Sequence, residues 1–141
     1  MHKPYNTQLL ANEILEQNPV MVAKIANACK IDELQVPVVF EEVLKFLWLI
    51  GALNQKLTPS LITDNAWHEF ILFTRLYHRF CDKHFGRYIH HSPGGNENEN
   101  RRNYSKTIQL YILHFGQPPE LYWGHLATEK WIDSQCGSCS N

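Results

Sequence analysis

The run from Val43 to Leu53 is apolar on almost every side: Val43, Leu44, Phe46, Leu47, Trp48, Leu49 and Ile50, with Lys45 as its single charge. A helix without a polar face has to be surrounded, so this segment predicts the middle of a helical bundle. It is interrupted by Lys45 and far too short to span a bilayer, so no membrane segment is expected. Pro37 opens this helix, and Gly51 weakens or ends it.

The rest of the chain reads as helix between Pro and Gly punctuation. Asn6 or Thr7 caps a first helix to about Gln17, with Leu10 and Ile14 on one face. Asn18-Pro19 reads as a cap followed by Pro at the first helical position, starting a second helix to about Cys29. Thr58-Pro59-Ser60 restarts the chain, and Thr63 or Asp64 caps the longest predicted helix, to about Phe85-Gly86. Ala66, Phe70, Phe73, Tyr77, Phe80 and His84 share one face of it; His68, Leu72, Arg75, Arg79 and Asp82 share the other. The stretch from His90 to Asn100 reads as a polar loop. A helix follows from about Arg101 to His114, and Pro118-Pro119 opens a last helical segment to about Trp131. No alternating strand pattern occurs. The expectation is one all-α domain over residues 1–133, a compact bundle of six or seven helices, with a flexible tail over 134–141.

Thirteen Lys+Arg against 14 Asp+Glu give a formal charge of -1, so no electrostatic surplus draws the chain to nucleic acid or an anionic membrane. The N-terminus lacks the apolar core of a signal peptide. Four cysteines, of which only Cys136 and Cys139 are close in sequence, do not make a disulfide framework. Reduced thiols and a cytoplasmic location follow as expectations.

Few residues carry a catalytic pattern. His68-Glu69 lacks the i+4 histidine of a metalloprotease helix, because position 72 is Leu. His68, His78, His84, His90 and His91 are crowded in sequence, but a helical wheel places His68 roughly 160° from His84. A zinc site therefore requires the His90-His91 loop to fold back over a helical histidine, and its ligands would then be His68, His90 and His91. Cys81 has His78 and His84 as wheel neighbours, yet it borders the aromatic face and reads as a small core residue. The Cys136/Cys139 pair has metal or redox spacing but stands alone. No cofactor is expected, with zinc as the alternative.

Aromatic residues are plentiful: Trp48, Trp67, Trp123 and Trp131, with six Tyr. Trp, Tyr and Arg are the types that anchor interfaces, so Arg75, Arg79, Arg101, Arg102, Tyr122 and Trp131 are the candidate contact residues for a protein partner. A symmetric dimer is the base-rate oligomer if the chain is not a monomer.

Motifs recur in a definite order: Phe46-Leu47-Trp48-Leu49, Thr58-Pro59-Ser60, Asp64-x-x-Trp67-His68, Thr74-Arg75-x-Tyr77-x-x-Phe80-Cys81, Phe85-Gly86-Arg87, His90-His91-x-Pro93-Gly94-Gly95, Tyr104-x-x-Thr107-x-x-x-Tyr111, Phe115-Gly116-x-Pro118-Pro119 and Trp123. Over about residues 40–124 this resembles the helical core of the glycine-rich-domain-containing-protein-like family. The resemblance implies a helical domain and no established catalysis. Relatives read D-x-x-W-H-x-H, where the second His position here is Phe70. The motif string is expected to pack, with Asp64, Trp67 and His68 against the returning His90-His91 loop and imidazole N–H groups on loop carbonyls.

In size, Asn-rich composition and want of a catalytic constellation the chain also resembles small effector-type proteins of intracellular bacteria of the Legionella kind. Some of these inhibit effector enzymes that deamidate or crosslink ubiquitin. That resemblance implies a partner enzyme and a location in the host cytosol. The functional expectation is a non-catalytic module that binds and regulates or inhibits a partner enzyme; the alternative is a metal-dependent enzyme or metal-binding protein at the histidine cluster.

Overall fold

The apolar run lies in helix α3 (Val36–Ala52), and Val43, Leu44, Phe46, Leu47 and Leu49 are wholly out of water. The computed structural model describes residues 4–92 and 94–136. Around α3 stand α1 (Thr7–Gln17), α2 (Pro19–Cys29), α4 (Leu61–Leu72) and α6 (Glu97–Phe115), each touching it. Then come α5 (Thr74–Phe85), the four-residue α7 (Glu120–Trp123) and α8 (His125–Cys136), and a 3-10 turn at Glu33–Gln35 precedes α3. The fold is all-α, with no strand among the described residues. No described helix is long and apolar enough to cross a membrane.

The first three helices follow their local signals. Asn6 caps α1, its side chain accepting from the Leu9 amide at 3.0 Å, and Pro19 opens α2. The expected long helix from residue 63 to 85 is instead two helices, broken at Phe73 (φ -84°, ψ 69°). There the Phe73 N–H bonds to Phe70 O at 3.1 Å, closing the last turn of α4 tightly. No Pro or Gly marks the break, so packing rather than local chemistry sets it. The two faces survive it: Ala66, Phe70, Tyr77 and Phe80 are buried, while His68, Leu72, Arg75, Arg79 and Asp82 are exposed.

Two further boundaries differ from expectation. Helix α6 begins four residues early because Asn96 caps it, accepting from the Glu99 amide at 2.9 Å, and Glu97 and Glu99 complement the helix dipole. The last segment is two helices separated at Gly124, and α8 continues to Cys136, into the stretch expected as tail. Cys139 and the rest of the tail lie outside the described residues, as does Pro93.

The core contains one carboxylate. Glu42 in α3 is 2% exposed, and a buried charge must be paired and hydrogen-bonded. Tyr111 Oη and Trp123 Nε1 donate to its Oε1 at 2.5 and 2.7 Å, and Lys45 Nζ lies 3.3 Å from its Oε2. Lys45 also reaches Glu41 at 3.5 Å and Tyr111 Oη at 3.1 Å. Burial, and then the charge of Glu42, push the Tyr111 hydroxyl well above its ordinary pKa, so it stays a donor. This network ties α3 to α6 and α7. Burial accounts for the aromatic surplus: Trp48, Trp67 and Trp123 are core residues at 5% exposure or less, and of the four Trp only Trp131 is half-exposed.

The carboxyl end of α3 is clamped from α5. Gly86, in the left-handed region at φ 67°, ends α5 and turns Arg87 back. The Arg87 Nη2 group then donates to Ile50 O, Gly51 O and Asn54 Oδ1 at 3.1–3.3 Å. A Cβ on Gly51 would stand 2.7 Å from the ring of Phe85, so only glycine permits this approach. The loop from Arg87 onward is thus anchored at its start.

Candidate metal centre

Helix α4 starts with Ser60 as its cap, the Oγ accepting from the Thr63 amide at 3.3 Å. Neither Thr63 nor Asp64 caps it, which frees the Asp64 carboxylate to face outward. One turn later comes His68, on the same face by i,i+4 spacing.

The loop after α5 supplies the third group. Tyr77 Oη accepts from Trp67 Nε1 at 3.0 Å and donates to Ile89 O at 2.6 Å, so one hydroxyl fixes the loop to α4 and α5. Burial raises the Tyr77 pKa well above its usual value, which keeps that proton in place. Two residues beyond Ile89, the His91 ring lies 4.4 Å from Trp67, centroid to centroid.

His91 Nε2 is then 2.6 Å from Asp64 Oδ1 and 2.8 Å from His68 Nε2, with His68 Nε2 3.9 Å from Asp64 Oδ2. These three donor atoms lie within 4.8 Å of one another. A neutral imidazole nitrogen offers either one proton or one lone pair. His91 Nε2 faces both a carboxylate and another ring nitrogen, so a single proton there has to serve two acceptors at once. A divalent cation takes a lone pair from each. A tetrahedral ion with bonds of about 2.0–2.2 Å sets its ligand atoms roughly 3.3 Å apart, so on binding the two His91 contacts open and the 3.9 Å His68–Asp64 pair closes, each by roughly half an ångström. Two imidazoles and a carboxylate suit zinc and neighbouring transition ions and leave further coordination positions for water or a ligand.

The ligand set expected from the sequence needs one correction. His90 is exposed, with its ring 4.6 Å from Tyr88, and is not part of the cluster. Asp64 takes its place. The readable signal was the Asp64-x-x-x-His68 spacing, obscured because Asp64 was assigned to a cap. The loop does return over Trp67 and His68 as expected, but the imidazoles meet Asp64 and each other, while the loop carbonyl of Ile89 is served by Tyr77. Phe70, the departure from the D-x-x-W-H-x-H pattern, is fully buried against Phe40, Tyr77 and Phe80 at 5.0–5.3 Å, away from the cluster.

The candidate contact residues are dispersed. Arg75 and Arg79 are exposed on α5; Arg101 and Arg102 are exposed on α6, where Arg101 pairs with Glu97 at 3.1 Å. Tyr122 and Trp131 are half-buried on α7 and α8. No hydrogen bond, ion pair or ring contact joins any two of these six among the described residues. Cys81 is fully buried, and burial pushes its thiol pKa up, so it is a packed core residue rather than a thiolate nucleophile.

Asp64 and His91 stand on the wall of a cavity of about 660 Å³ between the α3–α4 loop, α4, the 87–95 loop and α6. Thr107 holds the far side together: its hydroxyl accepts from the Thr58 amide at 3.1 Å. No curated protein and no solved structure matches the chain. A model of the family described as UCP032817-like matches residues 11–114, a span that includes Asp64, His68, His91 and Glu42. On that match, over well over half its length, the chain belongs to the UCP032817-like family.

Proposed function

We propose that this protein binds a divalent transition-metal ion, zinc or a close neighbour, through Asp64, His68 and His91, and presents its open positions to the adjacent cavity. The observation that carries the reading is the meeting of three lone-pair donors from α4 and the 87–95 loop with too few protons to satisfy them. An ion held by three side chains polarises a bound oxygen or lowers the pKa of a bound water, which is the chemistry of metal-assisted hydrolysis.

Titration of metal-free protein with zinc against a competing chelator dye is the test. One equivalent is expected, lost in the double variant Asp64→Ala/His91→Ala and retained in Cys136→Ser/Cys139→Ser. An equivalent that survives the first variant and disappears in the second would assign the ion to the tail and defeat the proposal.

A second reading, a module that binds and regulates a partner enzyme, draws support from five leucines that the fold leaves in water. Leu34, Leu61, Leu72, Leu113 and Leu121 are each at least 70% exposed. Affinity capture is expected to recover one enzyme near stoichiometry, and to lose it when the contacted leucines become Ser. Captures that return only background would end this reading.

A further inference from the structure

We propose that the metal-loaded cavity is a binding site for a small anion whose oxygen completes the ion's coordination, a phosphate- or carboxylate-bearing molecule. The inference rests on the metal reading and goes beyond it by naming the ligand chemistry. Its ground is the charge of the wall. Among the described residues that line the cavity, Asp64 is the sole carboxylate, and it is also a ligand of the proposed ion. Lys56 and Arg87 stand on the same wall. A divalent ion, two cationic side chains and one carboxylate sum to three positive charges over a single cleft. The whole chain, at a formal -1, has no such surplus, so the asymmetry is local.

The wall is also built to hold its charge in place. Arg87 is fixed by its three bonds to the end of α3 and to Asn54, so its guanidinium is preorganised instead of swinging in solvent. Asn100 and Asn103, from the first turns of α6, also line the cavity, and the Asn100 carboxamide donates to Gly95 O at 3.3 Å. A volume of about 660 Å³ lies within the usual range for small-molecule sites and far exceeds a bare ion with its waters. Walls of one sign around a low-dielectric cleft concentrate counter-ions at its mouth. Of the ligands this size admits, an anion gains full charge–charge attraction from the ion, from Lys56 and from Arg87 together, whereas a neutral molecule gains only the weaker ion–dipole contacts.

Isothermal calorimetry on the full chain separates the outcomes, using phenyl phosphate, benzoate and neutral benzamide as probes of matched size. Zinc stoichiometry is measured first on the same sample. Phenyl phosphate or benzoate is expected to bind the zinc-loaded protein, and at least about tenfold more weakly without zinc or in zinc-loaded Lys56→Gln, since each removes a charge-assisted contact. Lys56 is exposed, so its substitution leaves the fold intact. Tighter phenyl phosphate assigns the site to phosphoryl groups; tighter benzoate assigns it to carboxylates. If one zinc is bound but neither anion outbinds benzamide, or if anion affinity is the same without zinc and in Lys56→Gln, the anion inference is overturned and the metal reading stands. If no zinc binds, both fall.

Discussion

Replacing Glu42 by Ala is expected to remove roughly 3–5 kcal/mol of folding stability, the usual result of breaking a buried charge network by deleting one partner. The substitution leaves the Tyr111 hydroxyl proton and the Trp123 indole N–H without an acceptor in a dry interior, and leaves Lys45 with Glu41 as its one carboxylate partner among the described residues. Each stranded donor costs about 1–3 kcal/mol. A domain of this size has about 5–15 kcal/mol in total, so the variant stands near the limit of folding. Glu42→Gln keeps an acceptor for the two donors and is expected to lose less. Tyr111→Phe, which leaves Glu42 with Trp123 and Lys45, is expected to lose least. Urea titration reads all three as shifts of midpoint at constant m. A Glu42→Ala midpoint equal to wild type would mean that the network contributes nothing net.

The other large effect expected is a zinc-dependent rise in melting temperature that vanishes in Asp64→Ala/His91→Ala. An ion that binds only the folded chain stabilises it by RT ln(1 + [L]/Kd), about 2.7 kcal/mol at a hundredfold excess over Kd. For a chain of this length that is a Tm rise of several degrees. Asp64 and His91 come from segments 27 residues apart, so the unfolded chain cannot present them together. Without metal, the double variant is expected to melt within about 1 kcal/mol of wild type, since the groups removed are partly exposed. Equal rises in wild type and variant would show zinc acting elsewhere.

Local chemistry made the ends of α1, α2 and α3 legible: the caps, the Pro at first positions and an apolar run long enough to exclude a strand. It made the two faces of the α4–α5 region legible as well, since a 3.6-residue period shows through a break. The break itself was not legible, because Leu72-Phe73-Thr74 contains no helix breaker and the turn is imposed by packing. The start of α6 was hidden for the opposite reason. Its first turn is Asn and Glu, which reads as polar loop unless Asn96 is recognised as a cap and the acids as dipole partners. Two of the three cluster residues, His68 and His91, were visible; Asp64 was not, since one aspartate near a helix start serves equally as cap or ligand. Glu42 was invisible, an ordinary acid in sequence whose partners lie 69 and 81 residues downstream.

That separation bears on the order in which the protein is made. The most apolar helix leaves the ribosome early with a carboxylate in its middle and Lys45 beside it, and the two donors that satisfy its Oε1 are synthesised only at residues 111 and 123. Until then Glu42 keeps its water, and the nascent α3 resists being buried against the wrong neighbours. Completion of the core is held for α7, so the chain's last third acts as the closing step of an assembly whose first third carries half of the buried apolar residues.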